Sequence, residues 1–150
     1  MLIFDVINFG LIAFLWWFTV KNYRDLPEAI PVHFDFEGKA DRSGSKKYAF
    51  LTPVIGILLY ILLAFVIRDP GSANYPVEIT DDNREAQFLI METFIRWFCT
   101  LVLLIFLNSQ DYVFRYSTDH SVKPKVPMAT AFLSVIGSLV ALFVLVGIFR

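Results

Sequence analysis

Four apolar blocks fix what this chain can become. Residues 2–20, 49–67, 86–107 and 127–149 hold 83 of the 150 positions. Each block approaches the ~20 apolar residues that cross a hydrocarbon core of about 30 Å. The second and fourth contain no charged residue. Composition agrees: 57% of the chain is hydrophobic and 18% charged, against about 45–50% and about 25% in a soluble domain. The connecting pieces are too short to bury a core of their own, which excludes a separate soluble catalytic domain. The expected fold is an all-α membrane protein, a four-transmembrane-helix bundle in one integral membrane domain over residues 1–150. A structured, proline-bearing loop at residues 21–48 joins the first two helices.

The lipid bilayer is therefore the first partner. A formal net charge of −1 provides no basic field for nucleic acid. Cys99, the only cysteine, rules out an intramolecular disulfide and a multi-cysteine metal site. The first span is expected to be retained: Trp16, Trp17 and Lys21 stand where a signal peptide carries its small-residue cleavage site. Lys and Arg counts set the expected orientation. The first loop holds six (Lys21, Arg24, Lys39, Arg42, Lys46, Lys47) and the third holds three (Arg115, Lys123, Lys125). Arg68, Arg84 and Arg150 lie on the opposite side. Loops 1 and 3 are thus expected in the cytoplasm and both termini outside, in a bacterial plasma membrane.

The third block is unusual. Only residues 97–107 are free of charge, about 16 Å of helix. To cross, this helix is expected to draw in Arg96 and Glu92, an i,i+4 pair with the acid first. An Arg near the bilayer centre costs about 2.5–3.5 kcal/mol on insertion scales, so both should face the bundle interior. Phe88, Glu92, Arg96, Cys99 and Leu103 share that stripe. Asp5, near Asn8 at the start of the first span, would join them if it lies on the same side of the membrane. Asp82 is expected to N-cap the third helix, with Glu85 completing a capping box. In the fourth block Thr130, Ser134, Gly137, Ser138 and Ala141 form a small-residue stripe suited to close helix packing. Packing within the bundle is the first use expected of it, and a homo-oligomer seam the second.

The first loop carries the most distinctive pattern. Pro27 and Pro31 force an extended path. Val32, Phe34 and Phe36 alternate with His33, Asp35 and Glu37, the period of a half-buried strand. Gly38 and residues 41–44 are expected to turn the chain back. His33, Asp35 and Glu37 have metal-ligand chemistry, with Asp41 as a fourth. Side chains two apart on a strand diverge over about 6–7 Å, however, so no metal is expected. His120 reads as solvated. No Ser–His–acid set, phosphate loop or helical His-Glu-x-x-His occurs, so neither an enzyme nor a cofactor is expected.

Leu26-Pro27, Ile30-Pro31, His33-Phe34, Gly38, Asp41 and Lys46, in this order and spacing, resemble the bacterial domain of unknown function numbered 1648. That domain opens the SdpI-like immunity family. Ser43 departs from the pattern, where an aromatic is common. The resemblance implies a bacterial integral membrane protein without established enzymatic activity. It brings toxin immunity or membrane-stress signalling within reach, with a peptide toxin or a membrane protein as partner of the first loop. The competing expectation is a small transport or proton-relay subunit using Glu92 and Arg96.

Overall fold

A computed structural model describes residues 1–35 and 37–150. The order is α1 (Leu2–Tyr23), β1 (Ala29–Phe34), β2 (Ala40–Ser45), α2 (Leu51–Ile67), α3 (Arg84–Thr118) and α4 (Met128–Ile148). Short 3-10 turns occupy Lys46–Phe50 and Pro70–Ser72. Among the described residues four helices are long and apolar enough to cross a membrane. The chain is an all-α four-helix membrane protein with an antiparallel β1–β2 hairpin between its first two helices. Residues 41–44, expected as a turn, belong instead to β2. The chain reverses between β1 and β2, where Gly38 has φ +80° and its N–H donates to the Asp35 carbonyl.

Two boundaries of α3 differ from expectation. Its start is not capped by Asp82: the N-cap is Asn83, without a side-chain cap bond. The Asn83 amide is committed to the preceding turn, accepting from Thr80 N–H and donating to the Glu78 carbonyl, both at 2.9 Å. At the other end α3 continues eleven residues past the apolar block, to Thr118. No Gly or Pro interrupts residues 108–118. An i,i+4 bond from Arg115 to Asp111 at 2.8 Å supports the extension. With 35 residues α3 is about 52 Å long, well beyond the hydrocarbon thickness.

Helices α1 and α3 lie side by side in a fixed parallel register, read from three layers of side-chain bonds. Arg96 Nε donates to Asp5 Oδ1 at 3.1 Å, Thr100 Oγ1 to Asn8 Oδ1 at 2.7 Å, and Gln110 Nε2 to Thr19 Oγ1 at 3.1 Å. The partners are 91, 92 and 91 residues apart. The two helices therefore keep step over about 21 Å. Between the polar layers Ile12, Leu15, Cys99 and Leu103 are buried. Gln110 also donates to the Ala49 carbonyl at 2.8 Å, which brings the start of α2 into the same layer. Gly56 of α2 then passes close to Leu15 and Leu103.

Helix α4 runs antiparallel along α3, held by three ties. Gln87 Nε2 donates to the Val146 and Phe149 carbonyls at 3.1 and 2.9 Å. Trp97 Nε1 donates to Ser138 Oγ at 3.0 Å, and the Asn108 amide exchanges two bonds with the Val126 backbone. The small-residue stripe does not bring backbones together as expected. Ser134, Gly137, Ser138 and Ala141 line an apolar cleft of about 900 Å³ against α3, and a Cβ on Gly137 would meet nothing within 4 Å. Phe94 and Trp97 of α3 line the facing side of the cleft.

Gln110 joins three elements in one buried layer, so Gln110→Ala strands the Ala49 carbonyl and removes the tie to Thr19, whose hydroxyl keeps its bond to the Leu15 carbonyl. We expect a loss of about 1–2 kcal/mol, and a smaller loss for Asn108→Ala, whose bonds are exposed. Reversible unfolding in mixed micelles measures both.

Candidate functional site

The residues singled out from sequence fall at opposite ends of the bundle. Arg96 is level with the first turn of α1, and the hairpin lies at the end where α1 closes and α3 continues. This places Arg96 near one boundary of α1, and not at mid-membrane as the charge-free length suggested.

At the hairpin end, most of the loop motif is a docking device. Leu26 and Ile30 are buried with Ala49 and Phe114, against Phe18, Tyr23 and Val113. Phe34 sits between two tyrosines of the α3 extension, 4.7 Å from the Tyr112 ring and edge-on to Tyr116 at 5.3 Å. The Tyr112 hydroxyl donates to the Gly38 carbonyl, and Ala40 N–H donates to the Tyr116 hydroxyl at 3.4 Å. A Cβ on Gly38 would meet that Tyr112 oxygen at 3.4 Å in a backbone region that L-residues avoid. Lys46 pairs with Glu28 at 2.9 Å and lies over the Tyr23 ring. Pro31 is buried and Pro27 exposed.

What the motif leaves over is polar and open. His33 Nδ1 donates to Asp41 Oδ1 at 2.6 Å across the hairpin, with side chains 62% and 50% exposed. Facing a carboxylate that only accepts, Nδ1 carries the proton. The His33, Asp35 and Glu37 side chains do not converge. Asp35 accepts from the Glu37 and Lys39 backbone N–H groups, and Glu37 pairs with Lys39. Among the described residues no group of three His, Cys, Asp or Glu is placed to hold a metal. Val32, expected on the buried face, is 39% exposed. A register shift between Pro31 and His33 breaks the strict alternation. Phe36 lies outside the described residues. His120 is exposed, its ring 5.0 Å from Tyr116. In the same loop, side-chain and backbone bonds from Ser121 hold the Asp119 carboxyl below its usual range.

At the opposite end, Arg96 bridges two helices. Its Nε meets Asp5 and its Nη1 meets Glu92 Oε2, both at 3.1 Å. Asp5, Asn8, Tyr60, Arg96 and Cys99 border a notch of about 30 Å³, room for a water molecule. Tyr75 of the second loop stacks on Phe88 at 5.7 Å. Burial, and secondarily the Glu92 charge, pushes its phenol above the ordinary value.

Sequence reasoning did not single out Thr19, Thr100, Gln110, Tyr112 and Tyr116. The signal was present: Thr100 and Gln110 continue the stripe of Arg96 and Leu103, and Tyr112 and Tyr116 are one turn apart beyond it.

Comparison with known proteins falls on the hairpin end. Residues 10–57 match the family described as Domain of unknown function (DUF1648). They run from the middle of α1 through the hairpin into the second turn of α2. An "Uncharacterized protein" of Archaeoglobus fulgidus is 27% identical over 88 residues, covering 59% of this chain and 44% of that protein. The chain thus matches less than half the length of this curated relative. No solved structure matches.

Gly38→Ala should cost about 1–2 kcal/mol from the positive φ. It should also speed amide exchange in residues 29–45 more than in α1, as read by exchange mass spectrometry. Arg96→Ala leaves two carboxylates facing each other. We expect a loss of about 2 kcal/mol, below the about 3–5 kcal/mol of a deeply buried pair because Asp5 is 41% exposed. Asp5→Asn should cost less in the same unfolding assay.

Proposed function

We propose that this four-span membrane protein is a non-enzymatic recognition protein whose hairpin end receives a peptide or a membrane-protein partner. Toxin immunity or membrane-stress signalling is its setting, in line with the SdpI-like resemblance of the first loop. The observation that carries the reading is the His33–Asp41 pair. Leu26, Ile30, Phe34 and Gly38 are used in seating the hairpin on α3, whereas these two are half exposed. A rigid sheet presenting an ionic hydrogen bond to water is preorganised for a polar partner. Nine Lys and Arg residues in loops 1 and 3 against three on the far side favour a cytoplasmic hairpin and external termini in a bacterial plasma membrane. The cleft along α4 is the surface on which a homo-oligomer would form.

A transport or proton-relay role for Glu92 and Arg96 has less support. The notch has room for about one water and is bordered by buried Cys99, and both carboxylates are engaged by one guanidinium. Such a role predicts a flux in reconstituted vesicles that Glu92→Gln stops. No flux in the unaltered protein removes it.

For recognition, a photo-crosslinking residue at Val32 should give one discrete polypeptide adduct in cells, identified by mass spectrometry. His33→Ala and Asp41→Ala should each reduce that adduct at least tenfold at unchanged membrane level. Unaltered adducts in both variants, or adducts to lipid alone, overturn the reading.

A further inference from the structure

The two edges of the hairpin are not equivalent. Lys46 N–H donates to the Glu28 carbonyl at 2.9 Å, so Glu28 and Lys46 are a hydrogen-bonded pair of the antiparallel ladder. Such pairs alternate with non-bonded ones. With Ala29 opposite Ser45, Ile30 opposite Gly44 and Pro31 opposite Ser43, the Ile30/Gly44 pair is bonded and its two neighbours are not. The backbone groups of Ala29 and Pro31 therefore point off the outer edge of β1, and those of Ser43 and Ser45 off the outer edge of β2. On β1 this edge is blunted, since Pro31 has no N–H to offer and Ile30 and Pro31 are buried. On β2 it is open. Ser43 and Ser45 are exposed; the charged side chains Asp41 and Arg42 and the register shifts that protect a sheet edge lie at residues 40–42, and residues 43–45 carry no charge and no Pro.

From this asymmetry we infer that β2 is a strand acceptor: the partner of the hairpin docks as an extended peptide segment that adds a third strand beside Ser43–Ser45. This rests on the recognition reading above and names its partner class. The chemistry follows from the edge. The outward N–H groups of Ser43 and Ser45 and the outward C=O of Ser43 match the backbone of another extended chain, while the Ser45 carbonyl is taken by the 3-10 turn it caps. The hairpin is already held by Phe34, Gly38 and Ala40 on the α3 tyrosines, so no ordering of the acceptor is required. The two sides of the sheet differ as well. Val32 and Tyr48, 39% and 57% exposed, flank Gly44, whose Cβ position lies 3.0 Å from each. The His33–Asp41 pair occupies the other side. The incoming segment therefore alternates, with apolar side chains towards Val32 and Tyr48 and polar ones towards His33 and Asp41.

The test removes single backbone donors. Ser43→Pro and Ser45→Pro delete outward N–H groups without touching the ladder bonds of Gly44. Ser43→Ala and Ser45→Ala keep those groups and delete only the hydroxyls, of which that of Ser45 also accepts from Lys47 N–H at 3.4 Å as the cap of the 3-10 turn. In the full chain in cells, the Val32 crosslink should fall at least tenfold in the proline variants and stay within twofold in the alanine variants. Thermal melting and membrane level verify folding. Replacing the Ser43 amide by an ester, which removes the N–H without a ring, should repeat the loss if proline disturbs the hairpin. Adducts unchanged by both proline and ester overturn strand addition. If His33→Ala abolishes the adduct while proline and ester do not, recognition stands and the strand mode falls. Absence of any adduct in the unaltered protein overturns both.

Discussion

Inside a bilayer, apolar helices gain little by touching one another instead of lipid, so side-chain bonds and close packing decide which faces meet. In this chain that decision lies along the contact of α1 with α3. Asp5 with Arg96, Asn8 with Thr100 and Thr19 with Gln110 repeat at near-constant separation. A slip of one helical turn would break all three bonds at once and leave buried Asn8 and Gln110 without their partners across the α1–α3 contact, where an unpaired polar group costs several kcal/mol. The register is thus over-determined. The other elements are built on it: α2 is tied in through the Ala49 carbonyl, and α4 leans on the opposite side of α3 by Gln87, Trp97 and Asn108.

That register also makes the hairpin end. Because α1 ends at Tyr23 while α3 runs on to Thr118, Tyr112, Phe114 and Tyr116 stand clear as a post. The loop after α1 folds against this post through Leu26, Ile30 and Phe34. A two-stranded hairpin is marginal alone in water. Here the aromatic contacts and the two tyrosine hydroxyl bonds supply what a third strand would otherwise give. The separation of roles follows: buried motif residues seat the sheet, and His33 and Asp41 stay exposed on it.

The four spans were legible because a hydrocarbon core demands a length and composition that few other structures need. The carboxylates around Arg96 were legible for a related reason, since charge in an apolar stripe has few places to go. The continuation of α3 was not. Residues 108–118 are polar enough to read as loop, and only the absence of Gly and Pro, with Asp111 and Arg115 at i,i+4, hints at helix. Strand β2 was missed because Asp41, Ser43 and Gly44 are turn formers by local preference. Pairing with β1 and support from Tyr116 override that preference. In the hairpin, alternation correctly set Phe34 inward and His33 outward, and failed at Val32, where the register shift and the neighbouring Gly44 open the surface.

The central claim is that the α3 extension and the hairpin form one unit outside the apolar layer. Amide hydrogen exchange in lipid nanodiscs, read residue by residue over 29–45 and 108–118, tests it most directly. The account predicts that Ile30, Gly44 and the amides of residues 112–116 open together with a common free energy, and that Tyr112→Ala with Tyr116→Ala lowers it for the whole set. Free exchange of the hairpin amides while residues 108–118 stay protected would contradict it.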